Sequence, residues 1–209
     1  MRRTKEVILL AMAMVPALLA VSERAQAQFR QPQAGIYAGG TIPVGDLKED
    51  SNTGWHIGGL VKARVTGAVD VRLDVAYTKF GSKDFNFGTA TVNAESNVLY
   101  GTLNAELNLG PDSAAYPGDD SISPYITAGP GVYRLEFEAT CTGACTGFDG
   151  DADSKTKVGY NIGAGANIPL RGFHTFAEVR YHRFGATFPS TAQDGSATML
   201  TASFGVKIR

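Results

Sequence analysis

Apolar and polar residues alternate with a period of two along most of this sequence, and that period predicts β-strands rather than helices. The last segment, MLTASFGVKIR, keeps the pattern to its final residues. Most of the alternating segments exceed the usual strand length of about 5–6 residues. Several reach the roughly 9–11 residues that a tilted strand needs to cross a bilayer. The pattern predicts eight strands: Gly35–Ile42, Gly54–Val65, Ala68–Phe80, Asn97–Leu109, Ser123–Glu138, Thr156–Leu170, Gly172–Phe184 and Ala197–Arg209.

The connections between these strands alternate in length. Strands two and three are joined by Thr66-Gly67, and strands six and seven by little more than Arg171. Four connections are long: Pro43–Thr53, Gly81–Ser96, Ala139–Lys155 and Gly185–Ser196. Only Pro111–Ile122 is long where a short turn is expected. Short turns at one end and long loops at the other are typical of outer-membrane barrels. We therefore predict an all-β fold, an eight-stranded antiparallel up-and-down transmembrane β-barrel. Its last strand pairs with its first, so no open edge faces lipid.

The N-terminus has the three parts of a secretory signal. Arg2, Arg3 and Lys5 precede an apolar run from Val7 to Val21, and Ala25-Gln26-Ala27 offers small residues for cleavage. The run is short for a membrane-spanning helix of about 20 residues. We predict a cleaved signal peptide at 1–27 and a barrel domain at 28–209.

The polar face of each strand is predicted to point inward. In strand three, Asp70, Arg72 and Asp74 alternate with apolar residues, and the other strands carry further charges at equivalent positions. Eight strands enclose an interior that side chains can just fill, and charges buried there must be paired. We predict a lumen filled by an ion-pair network of Lys62, Arg64, Asp70, Arg72, Asp74, Glu106, Arg134, Glu136, Glu178 and Arg180, with Lys207 on the same face.

Aromatic residues on the apolar face are predicted to form a girdle. Odd strands end, and even strands begin, at the same rim of an up-and-down barrel. The aromatic residues near that rim are Trp55, Tyr77, Tyr133, Tyr160 and Tyr181. Amphipathic rings favour the lipid–water boundary, so the apolar face should meet lipid at the long-loop side.

These features resemble the small OmpA/OmpX-type family of eight-stranded outer-membrane barrels. The signal peptide, the opening strand GIYAGG at 35–40 and the closing SFGVKIR carry the resemblance. It implies location in the outer membrane, contact with its lipid, biogenesis through the barrel-assembly machinery, and a monomer. Members often end in an aromatic residue that this machinery is thought to read, whereas this sequence ends in Arg209.

The role predicted for such a barrel is structural or surface-interacting, without catalysis. A first alternative is a narrow OmpW-like channel for small molecules, for which Leu60, Ile126, Val132 and Phe176 would leave an apolar interior. A soluble ligand-binding barrel is another. A rim-site enzyme cutting lipids or peptides is disfavoured, because His182 and Glu178 lie about 13 Å apart along one strand and Ser203 faces the lumen.

Cys141 and Cys145 are expected to form a small disulfide, since thiols oxidise outside the cytoplasm. Asp149, Asp151 and Asp153 have the spacing of a calcium loop, but Ser154 replaces its glycine and Tyr160 its last glutamate. A solvated acidic loop is the preferred interpretation, so no metal and no cofactor are predicted. The formal net charge of −1 gives no reason to expect a nucleic-acid partner.

Overall fold

The computed structural model describes residues 30–87, 90–110, 122–143, 153–170, 173–187 and 194–208. The predicted signal peptide and most of the 111–122 connection lie outside these residues, as do Cys145, Asp149 and Asp151. Among the described residues, no helix is long and apolar enough to cross a membrane.

The described residues form one closed antiparallel sheet. Its strands are β1 (Arg30–Val44), β2 (Asn52–Arg64), β3 (Val69–Gly81), β4 (Lys83–Phe87), β5 (Ala90–Asn108), β6 (Ser123–Gly143), β7 (Asp153–Leu170), β8 (Phe173–Thr187) and β9 (Asp194–Ile208). Each strand pairs with the next along the chain except β3 and β4, which both pair with β5, and β9 pairs with β1. Strand β4 continues β3 past Ser82, so the barrel has eight strands. The predicted fold class is confirmed.

The ring closes through the last strand. Ile36 lies opposite Val206 and Ala38 opposite Phe204, with unbroken register from Ala34–Ile208 to Val44–Thr198. On its other side β9 pairs with β8 along its length. The last strand therefore has a partner on both sides, and the barrel wall has no open edge at this point, as lipid requires.

The two ends of the barrel differ. At one end, here called the turn end, the chain passes from β2 to β3 in the tight turn Val65–Ala68, in which Val65 N–H donates to Val69 O over 2.9 Å. At the other, the loop end, β5 and β6 rise far beyond their neighbours. The 21 residues of β6 extend about 70 Å, roughly twice what a crossing strand needs.

Two of the predicted loops contain ordered structure at the loop end. The segment predicted as a loop at Gly81–Ser96 instead forms β4 and the first part of β5, with Lys83 opposite Ala94. The polar–apolar alternation of this segment is weak. However, β3 and β5 are already paired in register in the barrel below it, so continuing the pairing into β4 and upper β5 closes only a short loop and costs little chain entropy. The β1–β2 connection holds a single helical turn, α1 (Leu47–Asp50).

The two faces of the wall separate by polarity. Ile36, Val158 and Phe204 are among the large apolar side chains exposed on the outer surface, with 72%, 78% and 55% of their area accessible. Arg72, Asp74 and Glu106, on the other parity, have 0% accessible. A barrel that is apolar outside and polar inside is suited to lipid rather than to water.

Candidate functional site: the barrel interior

Arg72 on β3 is the centre of a buried ion-pair network in the turn-end half of the lumen. Its Nε and Nη2 donate to Asp74 Oδ1 over 2.9 and 2.7 Å. Its Nη1 donates to Glu178 Oε2 over 2.7 Å and to Glu106 Oε2 over 3.4 Å. One guanidinium thus connects carboxylates from β3, β5 and β8 across the barrel, with a fork geometry suited to several acceptors.

The network extends from Arg72 in both directions. Toward the turn end, Lys62 Nζ lies 2.9 Å from Asp70 Oδ2 and 2.6 Å from Glu106 Oε1, and Arg64 Nε lies 2.8 Å from Asp70 Oδ1. On the β8 side, Arg180 Nη2 lies 2.7 Å from Glu178 Oε1. Buried charges are tolerated because each meets an opposite charge, although such networks contribute less net stability than their contacts suggest.

Neutral side chains satisfy further atoms of the network. Asn104 Nδ2 donates to Asp74 Oδ2 over 2.9 Å, and Asn161 Nδ2 donates to Asn104 Oδ1 over 2.8 Å. Tyr125 OH donates to Glu178 Oε2 over 3.0 Å. The network therefore joins side chains from opposite walls and crosses the lumen.

Lys207 is held differently from the other buried cations. Its ammonium lies 4.8 Å from the ring centroid of Phe176 and 5.6 Å from that of Tyr125, and it donates to Asn167 Oδ1. Aromatic faces attract a cation more strongly when water is excluded. Lys207 is thus accommodated in the lumen beside the ion-pair network.

Arg134 and Glu136 lie apart from this network and correct the predicted facing of one strand. They pair with each other, with Arg134 Nε 3.0 Å from Glu136 Oε1, and both side chains are more than one-third exposed. The physical reason is register. Tyr133 lies opposite Tyr100, and directly opposed residues share a face. Tyr100 has the inward parity of β5, so Arg134 and Glu136 face outward.

The same register corrects two further predictions. Tyr133 was predicted for the outer girdle, but it is fully buried in the lumen and stacks on Phe184 at 4.4 Å between centroids. Ile126 and Val132, considered as inward apolar residues, are exposed on the outer wall, whereas Leu60 and Phe176 are buried. Both parities of β6 carry large apolar side chains, so alternation alone did not determine its inner face.

The other predicted girdle residues lie on the outside. Trp55 and Tyr160 are each 51% exposed, and Tyr77 and Tyr181 are half-buried. Trp55 and Tyr77 meet edge to face with centroids 6.1 Å apart. Just beyond Tyr77 on the same face, Lys79 Nζ lies 3.2 Å from Glu95 Oε2. The hydrogen bond to this carboxylate raises the pKa of Lys79.

A layer of imidazole and hydroxyl groups lies above the ion-pair network, and sequence reasoning did not find it. His56 is hydrogen-bonded through Nδ1 to Thr41 Oγ1 at 2.9 Å and through Nε2 to Ser203 Oγ at 2.8 Å. His56 and Ser203 come from β2 and β9, which flank β1. Gly39 on β1 leaves room for this contact, because a Cβ there would lie 1.8 Å from Ala202 O on β9 and 2.9 Å from His56 Cε1.

His182 has a similar environment. It is hydrogen-bonded to Tyr133 OH at 3.1 Å and to Thr201 Oγ1 at 3.3 Å, and its ring lies 5.0 Å from that of Tyr100. Both imidazoles are almost completely buried. Ser203 Oγ and His56 Nε2 are as close as the nucleophile and base of a catalytic triad. The other imidazole nitrogen meets the Thr41 hydroxyl, whereas a catalytic triad would have a carboxylate there.

Apolar side chains fill the loop end of the lumen. Leu47 on α1 is fully buried and belongs to one apolar cluster with strand residues near this end. The strand members that surround this level, here called the mouth cluster, are Phe80, Val98, Leu135, Phe184, Ala186, Ala197 and Met199. From the turn end to the loop end, the interior therefore passes from charged to hydroxyl and imidazole groups and then to hydrocarbon.

Cys141 lies near the top of β6 and is disulfide-bonded. Cys145 is the only other cysteine of the sequence, but it lies outside the described residues, so the pairing stays a prediction. Within the described ranges, no group of three or more His, Cys, Asp or Glu side chains is placed to hold a metal ion.

Comparison with known proteins places this geometry in context. The family model described as outer membrane protein beta-barrel domain matches residues 11–207. Comparison with curated proteins found no match. Among solved structures, Neisserial surface protein A is 15% identical and superposes with a TM-score of 0.57, covering 85% of this chain and 96% of that chain. A major outer membrane protein from Thermus thermophilus is 12% identical, with a TM-score of 0.51 and coverage of 86% and 100%. At these identities the likeness concerns the fold alone.

Proposed function

The chain belongs to the outer membrane protein beta-barrel domain family, and from this premise we propose that it is a sealed barrel with a structural or surface-interacting role. Membership of the family places the protein in the outer membrane, with lipid around its apolar wall. The proposal concerns what it does there. The observation that carries it is the ion-pair network across the lumen.

Several contacts support a lumen that does not conduct. Arg72, Lys62 and Arg180 each contact carboxylates of at least two residues. An ion entering this layer would have to replace contacts that already offset the desolvation of both partners. The mouth cluster adds a second barrier, because hydrocarbon offers an ion no coordinating group.

Conductance measurement tests this proposal directly. The refolded chain in a planar bilayer is expected to show no steady steps, with a porin in the same bilayer as positive control. Large steady steps would contradict the sealed lumen and favour the narrow-channel alternative.

The length of β5 and β6 supports a role at the surface. Their pairing continues to Ala90 opposite Gly143, well beyond the girdle level of Tyr77. These outer strands, with β4, form an ordered platform in water.

Protease treatment of intact cells tests whether this platform lies at the cell surface. Cleavage confined to the connections beyond β4–β6, with the barrel core preserved, is expected, and failure to reach any such site would contradict surface display.

Catalysis is not part of the proposed function. Ser203 and His56 are at most 9% exposed, and neither faces the lipid or the water beyond the rim. Purified protein in detergent is expected to show no lipid A deacylation and no peptide cleavage. Activity lost in the Ser203→Ala variant would overturn this part.

The remaining parts of the proposal concern biogenesis. We place cleavage of the signal peptide after Ala27, assembly through the barrel-assembly machinery, and a monomer in the membrane. N-terminal sequencing of protein from outer membranes is expected to begin at Gln28, and a start at Met1 would contradict cleavage.

A further inference from the structure

We propose that α1 is a removable plug, and that the apolar position filled by Leu47 accepts a small apolar molecule from the loop end. The site would be a blind pocket rather than a channel, because the ion-pair network closes the lumen below it. The ligand class is a small aromatic molecule or the end of an acyl chain. This goes beyond the structural role proposed above.

The mouth cluster has the chemistry of an apolar pocket. Its walls come from five strands, β3, β5, β6, β8 and β9, and its side chains carry no charge. At its floor, Tyr133 stacks on Phe184 and Tyr100 stacks on Tyr133 at 5.5 Å. Apolar cavities of this composition stay dry and bind molecules of the size of benzene. Leu47 therefore fills a position whose surrounding apolar side chains all come from the barrel strands.

The attachment of α1 differs from that of the strands. It is a single turn of four residues, and its N-cap Asp46 makes no capping hydrogen bond. Two short links tie its C-terminal side to the barrel. Lys83 Nζ on β4 donates to Lys48 O over 3.3 Å and also to Glu49 O, and Ser51 Oγ donates to Ser96 Oγ over 3.0 Å.

Lys83 holds α1 against the barrel, and its hydrogen bonds to α1 are here called the latch. Its side chain is partly exposed and donates to the carbonyl oxygens of Lys48 and Glu49 in α1. Loss of this link should raise the fraction of molecules with α1 withdrawn. A ligand that binds only that state then gains apparent affinity by the same factor.

Met199 provides a direct readout, because it is the only methionine outside residues 1–27 and is fully buried in the mouth cluster. The full chain, labelled with methyl-¹³C methionine, is refolded in detergent and titrated with benzene. The Met199 resonance, assigned with Met199→Leu, should shift and saturate. Lys83→Gln should lower the half-saturating benzene concentration about fivefold.

Two further variants make the test decisive. Lys79→Gln removes a neighbouring rim lysine whose ammonium pairs with Glu95 and not with α1, and should titrate like the native protein. Leu47→Ala empties the pocket and should saturate at the lowest benzene concentration. A Met199 signal that does not saturate in Leu47→Ala would overturn the site. Equal titrations of native, Lys83→Gln and Lys79→Gln would overturn the latch.

Discussion

Arg72 shows how one side chain can make the interior of this barrel a single unit. Its guanidinium contacts Asp74, Glu106 and Glu178 with no accessible surface of its own. Asp74 and Glu178 have a second cation in Arg180, and Glu106 has one in Lys62. Removing Arg72 would therefore take one cation contact from each of three buried carboxylates, which lie on three different strands.

We predict that Arg72→Met destabilises the barrel by about 3–5 kcal/mol, the usual cost of breaking a buried pair from one side. Urea unfolding of the refolded protein, followed by tryptophan fluorescence from Trp55, measures it. Lys79→Met is the matched control, since its exposed pair with Glu95 should contribute little to stability. Equal losses in the two variants would show that the network adds nothing beyond a surface pair.

Tyr133 and Tyr181 were predicted for the same girdle, but the structure separates them. Tyr133 stacks on Phe184 inside the lumen, whereas Tyr181 is half-buried on the outer wall. Tyr133→Ala should cost about 3–5 kcal/mol, because it leaves a cavity among rings. Tyr181→Ala should cost clearly less, since lipid fills the gap. A larger loss of stability in Tyr181→Ala than in Tyr133→Ala, measured by urea unfolding, would support an outward-facing Tyr133 instead.

At the scale of the strand, alternation predicted most of the architecture, and its failures have local causes. Strand β3 reads without ambiguity from Val69 to Val75, because charge occupies one parity there and hydrocarbon the other. Strand β6 could not be assigned in this way, since Tyr133 and Val132 give both parities large apolar side chains. Which side chains of β6 face the lumen is determined by its register against β5. That register depends on the folded barrel and cannot be read from the β6 sequence alone. The His56–Ser203 contact could not be predicted for a similar reason. It joins β2 and β9 across Gly39 on β1, so it depends on the register of three strands.

Glycines inside the wall make room for lumen rings, and β2 provides a test with its own control. A Cβ on Gly58 would lie 2.6 Å from Tyr37 Cζ, whereas one on Gly59, facing outward, would approach only Gly35 O at 3.7 Å. Gly58→Ala should cost about 1–3 kcal/mol through overpacking, and Gly59→Ala should be nearly neutral. Adding Tyr37→Leu to Gly58→Ala should recover part of the loss. Equal urea midpoints for the two single variants would contradict this account.

At the scale of the whole molecule, closure depends on β9, which pairs with β8 and β1 at once. Deleting residues 204–209 removes the pairs from Ala38 to Ala34 and leaves two open edges in lipid. The truncated chain should lose heat-modifiable migration on gels. Deleting Arg209 alone should leave it intact, since every pair of β9 with β1 and β8 that the structure describes is kept. Normal heat-modifiable folding of the longer deletion would contradict closure by β9.

The inward charges of β3 also bear on how the chain travels before it folds. An isolated segment Val69–Gly81 presents Asp70, Arg72 and Asp74 together with its valines, and as a helix in a bilayer each charge would cost about 2.5–3.5 kcal/mol. A translocation channel would therefore not release such a segment sideways into the first membrane it meets. The three charged side chains are removed from the surface and enclosed in the lumen only when the strands pair into the barrel. The protein thus becomes compatible with lipid only by folding, and the charges that end inside the barrel keep the unfolded segment out of a bilayer.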